Sequence, residues 1–184
     1  MNGEKEIITL MSPYWYWKGH LSEDLLTLLE KEDSQLEKHQ GTMISSTSDH
    51  RNSDITILDP LHWFSGILFN VAVRSNDVSG WNFNIAFPSA FQLAHYKEGQ
   101  YYHWHTDVNM LERSQFVRKL TVIALINSNT EYEGGEFELA DTQLMKLDRG
   151  DILVFPSNIS HRVTPVTKGI RKSATVWVNG IKSW

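Results

Sequence analysis

The metal-binding chemistry of this chain is concentrated in one short run, Tyr101-Tyr102-His103-Trp104-His105-Thr106-Asp107. Side chains on an extended strand alternate between faces, so His103, His105 and Asp107 point the same way. A further histidine, His161, follows Asp151-Ile152-Leu153-Val154-Phe155-Pro156, which reads as a strand ending in a turn. Two histidines and one carboxylate, with no sulfur donor, suit Fe(II) and leave coordination positions open for a bidentate cosubstrate and oxygen. Zinc tolerates the same ligands. Arg171 stands ten residues after His161 and leads into the strand-like Ser173-Ala174-Thr175-Val176-Trp177-Val178. A planar guanidinium facing a dicarboxylate makes two parallel charge-assisted hydrogen bonds, a pairing that fits 2-oxoglutarate. Lys168 and Lys172 are the neighbouring cations that compete for this role.

The elements that must position these groups divide in character near Trp81. Beyond it come short strand-like runs separated by turn signals, at 91–96, 100–106, 119–126, 135–139, 143–147, 151–155, 161–166 and 173–179. Many short strands at close spacing imply a sandwich or jelly roll rather than a parallel sheet with crossover helices. Before Trp81, residues 20–39 predict an amphipathic helix. Ser22 is its cap, Glu23 and Asp24 suit its first turn, and Leu25, Leu26, Leu28, Leu29 and Leu36 gather largely on one side. A second helix is predicted from Asp59 as cap and Pro60 in the first turn, with Leu61, Phe64, Leu68, Val71 and Ala72 at three- and four-residue steps. The fold class expected is therefore mainly β with N-terminal helices, an α+β arrangement. With no repeat, linker or low-complexity tract, residues 1–184 are expected to form a single domain, helical support over about 1–80 and a β core over about 81–184. The polar stretch 42–56, with Arg51 and Asp54, and the 108–118 loop after the metal motif are the segments expected to face substrate.

Composition narrows the chemistry further. The chain has no cysteine, which removes disulfides, thiolate zinc sites, iron–sulfur clusters and cysteine nucleophiles together, so any metal sits on His, Asp or Glu. The hydrophobic share of 41% and charged share of 21% are those of an ordinary soluble protein, and no apolar run reaches a membrane span. The first residues lack the pattern of a signal peptide, giving a cytoplasmic expectation. A net charge of −5 disfavours a broad grip on phosphate backbones, so nucleic acid is not the expected partner.

Taken together in order, several segments resemble the prolyl 4-hydroxylase and related protein hydroxylase branch of the Fe(II)/2-oxoglutarate-dependent dioxygenases. They are Tyr96-Lys97-Glu98-Gly99-Gln100-Tyr101-Tyr102 leading to His105 and Asp107, then Arg118-Lys119-Leu120-Thr121, Gly134-Gly135-Glu136-Phe137, Gly150-Asp151, His161, Arg171 and Trp177. The resemblance covers roughly residues 81–180 and implies a double-stranded β-helix, a form of jelly roll. It implies His105, Asp107 and His161 as iron ligands, choosing His105 over His103, which is left as a neighbour or cleft residue. Arg171 is implied as partner of the 2-oxoglutarate C5 carboxylate, with Tyr96 and Thr121 as further contacts and Tyr102 and Trp177 as aromatics lining the site. The cofactors implied are Fe(II), 2-oxoglutarate and O2, with ascorbate as reductant. The activity implied is 4-hydroxylation of a prolyl residue in a protein or peptide, of the procollagen-proline type, coupled to decarboxylation of 2-oxoglutarate to succinate and CO2. Asp107 argues against a halogenase, which needs that coordination position for halide. Collagen-type relatives carry Lys where Arg171 stands, and this departure weakens the case for a collagen-like repeat. Hydroxylation of a free amino acid, another small molecule or a nucleobase is the alternative, and a non-enzymatic jelly-roll metal-binding module stands behind both.

Overall fold

The structure is a computed structural model, which describes residues 12–41, 50–108, 114–140 and 144–182. Its elements run β1 (Trp15–Trp17), α1 (Glu23–Asp33), β2 (His39–Gln40), β3 (Arg51–Asn52), β4 (Asp54–Leu58), α2 (Trp63–Val78), β5 (Ile85–Tyr96), β6 (Tyr101–His105) and β7 (Phe116–Leu125). They continue as β8 (Tyr132–Gly134), β9 (Phe137–Leu139), β10 (Ile152–Pro156), β11 (His161–Val163), β12 (Val166–Gly169) and β13 (Arg171–Ile181). A seven-stranded antiparallel sheet of order β1-β10-β7-β13-β5-β4-β2 faces a four-stranded sheet of order β3-β6-β11-β9, with β8 and β12 paired beside them. This is the jelly roll that the spacing of short strands predicts.

Period-two alternation on the major sheet decides what each face does. Val122 on β7 is the register partner of Val176 on β13 and of Val154 on β10, and all three are fully buried under the helices. One residue along, Ile123 pairs with Thr175 and Leu153, and these point the other way, towards the minor sheet. A second cluster forms there from Tyr96, Ile123, Leu125, Phe137, Leu153, Phe155 and Val163. The helices thus stiffen one face of the sheet and leave the other free to build a site.

Helix α1 has the predicted cap: Ser22 Oγ accepts from Leu25 N at 3.4 Å. It ends at Asp33 rather than running to residue 39, because Asp33 turns inward to His95 of β5 at 2.7 Å and Lys38 Nζ returns to the Asp33 carbonyl at 2.9 Å. Helix α2 begins at Trp63, not at Asp59. Asp59 closes a turn of its own, accepting from Leu61 N at 2.7 Å, while His62 Nδ1 caps the helix through Phe64 N. Among the described residues of the predicted strand 143–147 there is only one bridge, Met145 to Phe137; residue 143 itself lies outside the described residues. The 42–49 and 109–113 portions of the two segments expected to face substrate also lie outside them. The N-terminal part expected to be helical support also supplies β1, β2 and β4 to the major sheet. No helix among the described residues is long and apolar enough to cross a membrane.

The Asp33–His95 pair ties α1 to the strand carrying Tyr96. Burial alone would raise the Asp33 pKa, but the His95 hydrogen bond and charge, with Lys38, hold it below the usual carboxylate value. A depressed carboxylate contributes stability that is present above its unfolded pKa of about 4 and lost as pH falls through the folded value. Asp33→Asn is expected to cost about 1–3 kcal/mol at pH 6. Urea denaturation from pH 6 down to pH 3 checks this, and the gap between the two proteins should close towards the acid end.

Candidate active site

The site begins with one cross-strand pair. His105 ends β6, His161 starts β11, and the two are direct register partners, with ring centroids 4.1 Å apart. Asp107 lies two residues past β6, where its N–H donates to Ser157 O at 2.9 Å and Ser157 N–H donates to Lys119 O at 2.9 Å. Those bonds tie the turn to the ends of β10 and β7 and aim the carboxylate at the histidine pair. Asp107 Oδ1 is 3.8 Å from His105 Nε2, and Oδ2 is 3.4 Å from His161 Nε2. One potential ligand atom from each residue falls within 4.8 Å of the others.

The backbone settles the tautomers. His105 Nδ1 lies 2.7 Å from His103 O, and His161 Nδ1 lies 3.0 Å from Ile159 O. A carbonyl only accepts, so each Nδ1 carries the proton and each Nε2 presents its lone pair inward. Burial, reinforced by the facing His161 and opposed by Asp107, pushes the His105 pKa down to about 3, so this imidazole is neutral at ordinary pH. Burial would raise the Asp107 pKa, yet the facing imidazoles, His161 first, hold it well below the usual carboxylate range. One anion and two forward-facing imidazole nitrogens are the deprotonated donors that a divalent metal requires, and the set fits Fe(II). His103 contributes its carbonyl to this arrangement; its side chain is exposed against Tyr101.

Thr121 points inward from β7 and donates to Asp107 Oδ2 at 2.8 Å, with Ser157 Oγ at 3.0 Å from the same hydroxyl. The sequence resemblance suggested it for the cosubstrate; its hydroxyl sits on the candidate ligand Asp107. Thr121→Val keeps the shape and removes the bond, and is expected to weaken Fe(II) binding by about 10- to 100-fold. Anaerobic metal titration monitored by isothermal calorimetry reads that change directly.

The cavity holding the triad is also lined by Tyr96, Tyr102, Arg171, Ser173, Thr175 and Trp177. Arg171 opens β13, is the register partner of Tyr96 on β5, and is only 2% exposed. Its Nη1 donates to Ser173 Oγ at 3.2 Å, its Cζ lies 5.7 Å from the Tyr96 ring centre, and its charge acts on the nearby Tyr132 hydroxyl. Among the described residues no carboxylate forms an ion pair with it. A buried guanidinium without an anion is costly to maintain. Its place beside a metal triad therefore fits an incoming carboxylate. Lys168 instead holds the exposed Glu133 at 3.0 Å, and the Lys172 backbone N–H donates to Asn127.

Tyr102 stacks on His105 with centroids 3.5 Å apart, and Arg51 covers Tyr102 at 4.6 Å. Arg51 also reaches Ser53 at 2.8 Å and Gln92 at 3.3 Å, leaving Nη2 buried without a hydrogen-bond partner. Arg118 lies 4.2 Å over the Trp177 ring. The Trp177 N–H helps to hold Asp107 charged, at a geometry short of a hydrogen bond. Tyr132, Gln92 and Ser157 escaped the sequence reading. Only Tyr132 left a signal, two residues before the Gly134-Gly135 pair.

Comparison with known proteins agrees with this geometry. Residues 91–179 match the sequence profile of the 2OG-Fe(II) oxygenase superfamily. A PKHD-type hydroxylase of Synechococcus sp. (strain JA-2-3B'a(2-13)) is 28% identical over 154 residues, covering 81% of this chain and 63% of the relative, so this chain spans less than two-thirds of that protein's length. The viral collagen prolyl hydroxylase of Paramecium Bursaria Chlorella virus-1, solved with 2OG, superposes with a TM-score of 0.71 at 20% identity, over 92% of this chain and 97% of that one. The Trichoplax adhaerens prolyl hydroxylase, solved with a hypoxia inducible factor peptide fragment, gives 0.69 at 20% identity, over 90% and 83%. The matched segment carries all three candidate ligands and Arg171, so the similarity to the 2OG-Fe(II) oxygenase superfamily falls on the residues that build the site, and the fold is that of the solved prolyl hydroxylases.

Proposed function

We propose that the chain is an Fe(II)- and 2-oxoglutarate-dependent dioxygenase that hydroxylates a prolyl residue in a protein or peptide. The observation carrying this is the buried His105–Asp107–His161 triad sharing one cavity with a buried arginine that has no carboxylate partner among the described residues. Bound Fe(II) with 2-oxoglutarate and O2 supplies an oxidation of an unactivated C–H bond, leaving succinate and CO2 as co-products.

The residues present provide positioning. His105, His161 and Asp107 would hold the metal on one side only, Thr121 and the two backbone carbonyls fix their orientation, and Arg171 with Ser173 would take the distal carboxylate of the cosubstrate. The inner faces of the two sheets exclude water from the reacting end. A polypeptide substrate is supported by the relatives' names, by a neighbouring structure that holds a peptide, and by the guanidinium–aromatic pairs Arg51–Tyr102 and Arg118–Trp177 at the cavity.

The test has two arms. Anaerobic addition of Fe(II) and 2-oxoglutarate to apo-protein should give a visible metal-to-cosubstrate charge-transfer band. Proline-containing peptides should then gain one oxygen by mass while succinate accumulates in proportion. Absence of the band with metal bound overturns the dioxygenase reading. Substrate-dependent succinate with a free amino acid or nucleobase, and none with peptides or proteins, overturns the polypeptide reading alone.

A further inference from the structure

A second cavity, of about 370 Å³, shares only Arg171 and Phe137 with the triad cavity. Its wall includes Tyr132, Gly135, Leu144, Met145 and Lys146. Two features make Arg171 reachable from it. Gly135 has φ +62°, and a Cβ there would stand 2.8 Å from Val166 Cγ2 and 3.2 Å from Arg171 Cδ, so glycine keeps the space against the arginine stem clear of a side chain. Tyr132, on the same wall, lies beside Gly135 and feels the charge of the Arg171 guanidinium. The charges facing the space are asymmetric. Glu133 is paired with Lys168, and Glu136 keeps its charge while accepting from the Thr164 hydroxyl, whereas neither Lys146 nor Arg171 has a carboxylate partner among the described residues. Two cations thus face one unpaired carboxylate, and most of the remaining wall is apolar.

We propose that this second cavity is the route by which the dicarboxylate cosubstrate reaches Arg171 and the dicarboxylate product leaves, apart from the mouth used by the polypeptide. The inference rests on the reading of the site as a 2-oxoglutarate site. Its physical sense is that a polypeptide seated over the metal closes the first cavity while succinate is still behind it. A second opening uncouples the exchange of the small anions from the residence of the large substrate. Lys146 at the outer wall attracts a dianion, and Arg171 at the inner end receives it.

Stopped-flow mixing of 2-oxoglutarate with the anaerobic Fe(II) protein, read through the charge-transfer band, tests this without turnover. Met145→Trp fills the cavity and should slow association and dissociation together, by about 5-fold or more, leaving Kd within about 2-fold. Lys146→Glu, on the exposed wall, should slow association by about 3- to 10-fold at low salt and converge on the wild type at high ionic strength. Unchanged association rates in both variants, with thermal unfolding showing each to be folded, overturn the route. Weakened affinity at an unchanged association rate also overturns it, because the wall would then be part of the carboxylate site. If the wild type gives no band and calorimetry detects no 2-oxoglutarate binding, the reading of the site itself fails and takes the route with it.

Discussion

Asp107→Ala is expected to reduce turnover at least about 1000-fold, equivalent to some 4 kcal/mol or more. Asp107 is the only carboxylate in the triad, and its loss leaves two imidazoles to hold a dication. The damage extends past one ligand, since the Thr121 hydroxyl loses the acceptor that fixes it at 2.8 Å. Asp107→Asn separates charge from shape: it can still accept from Thr121, yet carries no charge, and should recover little of the activity. Stability should fall as well. The neighbours of Asp107 more than offset its desolvation, so at neutral pH apo Asp107→Ala should be less stable than apo wild type. The rise in Tm that Fe(II) gives the wild type by mass action should be absent from the variant. Thermal scans with and without Fe(II), beside succinate assays, check both halves. A variant that keeps both metal stabilisation and turnover would falsify the assignment of Asp107 as a ligand.

What the sequence made legible depended on how local the physics is. Short strands between turn signals suffice for a jelly roll, whereas Asp107 lies past the end of the strand that carries His105 and is aimed by its backbone bond to Ser157 rather than by alternation. His161 as the cross-strand partner of His105 is a fact of register between elements 56 residues apart, and nothing in either segment alone carries it. The resemblance supplied that pairing, as it supplied the choice of His105 over His103. The orientation of the imidazoles was illegible for a different reason. It depends on the carbonyls of His103 and Ile159, and backbone acceptors have no letter in a sequence. Thr121 and Tyr132 show the same limit from the side-chain end. Each is a common strand residue whose role appears only when a partner, Asp107 or Arg171, is folded beside it. Helix boundaries failed where a polar residue had two uses: Asp59 is a good cap by type but is consumed by its own turn, and Asp33 ends its helix with its side chain on His95.

Arg171 should give a dissociated pair of effects, the second large result expected of this site. Arg171→Ala should weaken 2-oxoglutarate by about 30- to 1000-fold, the range for truncating one partner of a buried hydrogen-bonded charge pair, about 2–4 kcal/mol. Fe(II) affinity should change little, because Arg171 is not among the residues whose ligand atoms converge on the metal position. Arg171→Lys keeps the charge but gives up the planar fork, so it should fall between the two, nearer the alanine variant. The apo-protein should tolerate either change, since the guanidinium is buried without a carboxylate and its removal relieves a desolvation cost. Tyr132→Phe supplies the graded control. It removes a hydroxyl beside the guanidinium and should cost 2-oxoglutarate affinity less than about 10-fold. Titration of the charge-transfer band at fixed Fe(II) orders all four proteins on one scale. If Arg171→Ala bound 2-oxoglutarate as tightly as the wild type, the distal carboxylate would have to be held elsewhere in the same cavity. Arg51, whose buried Nη2 has no hydrogen-bond partner, would be the group to replace next.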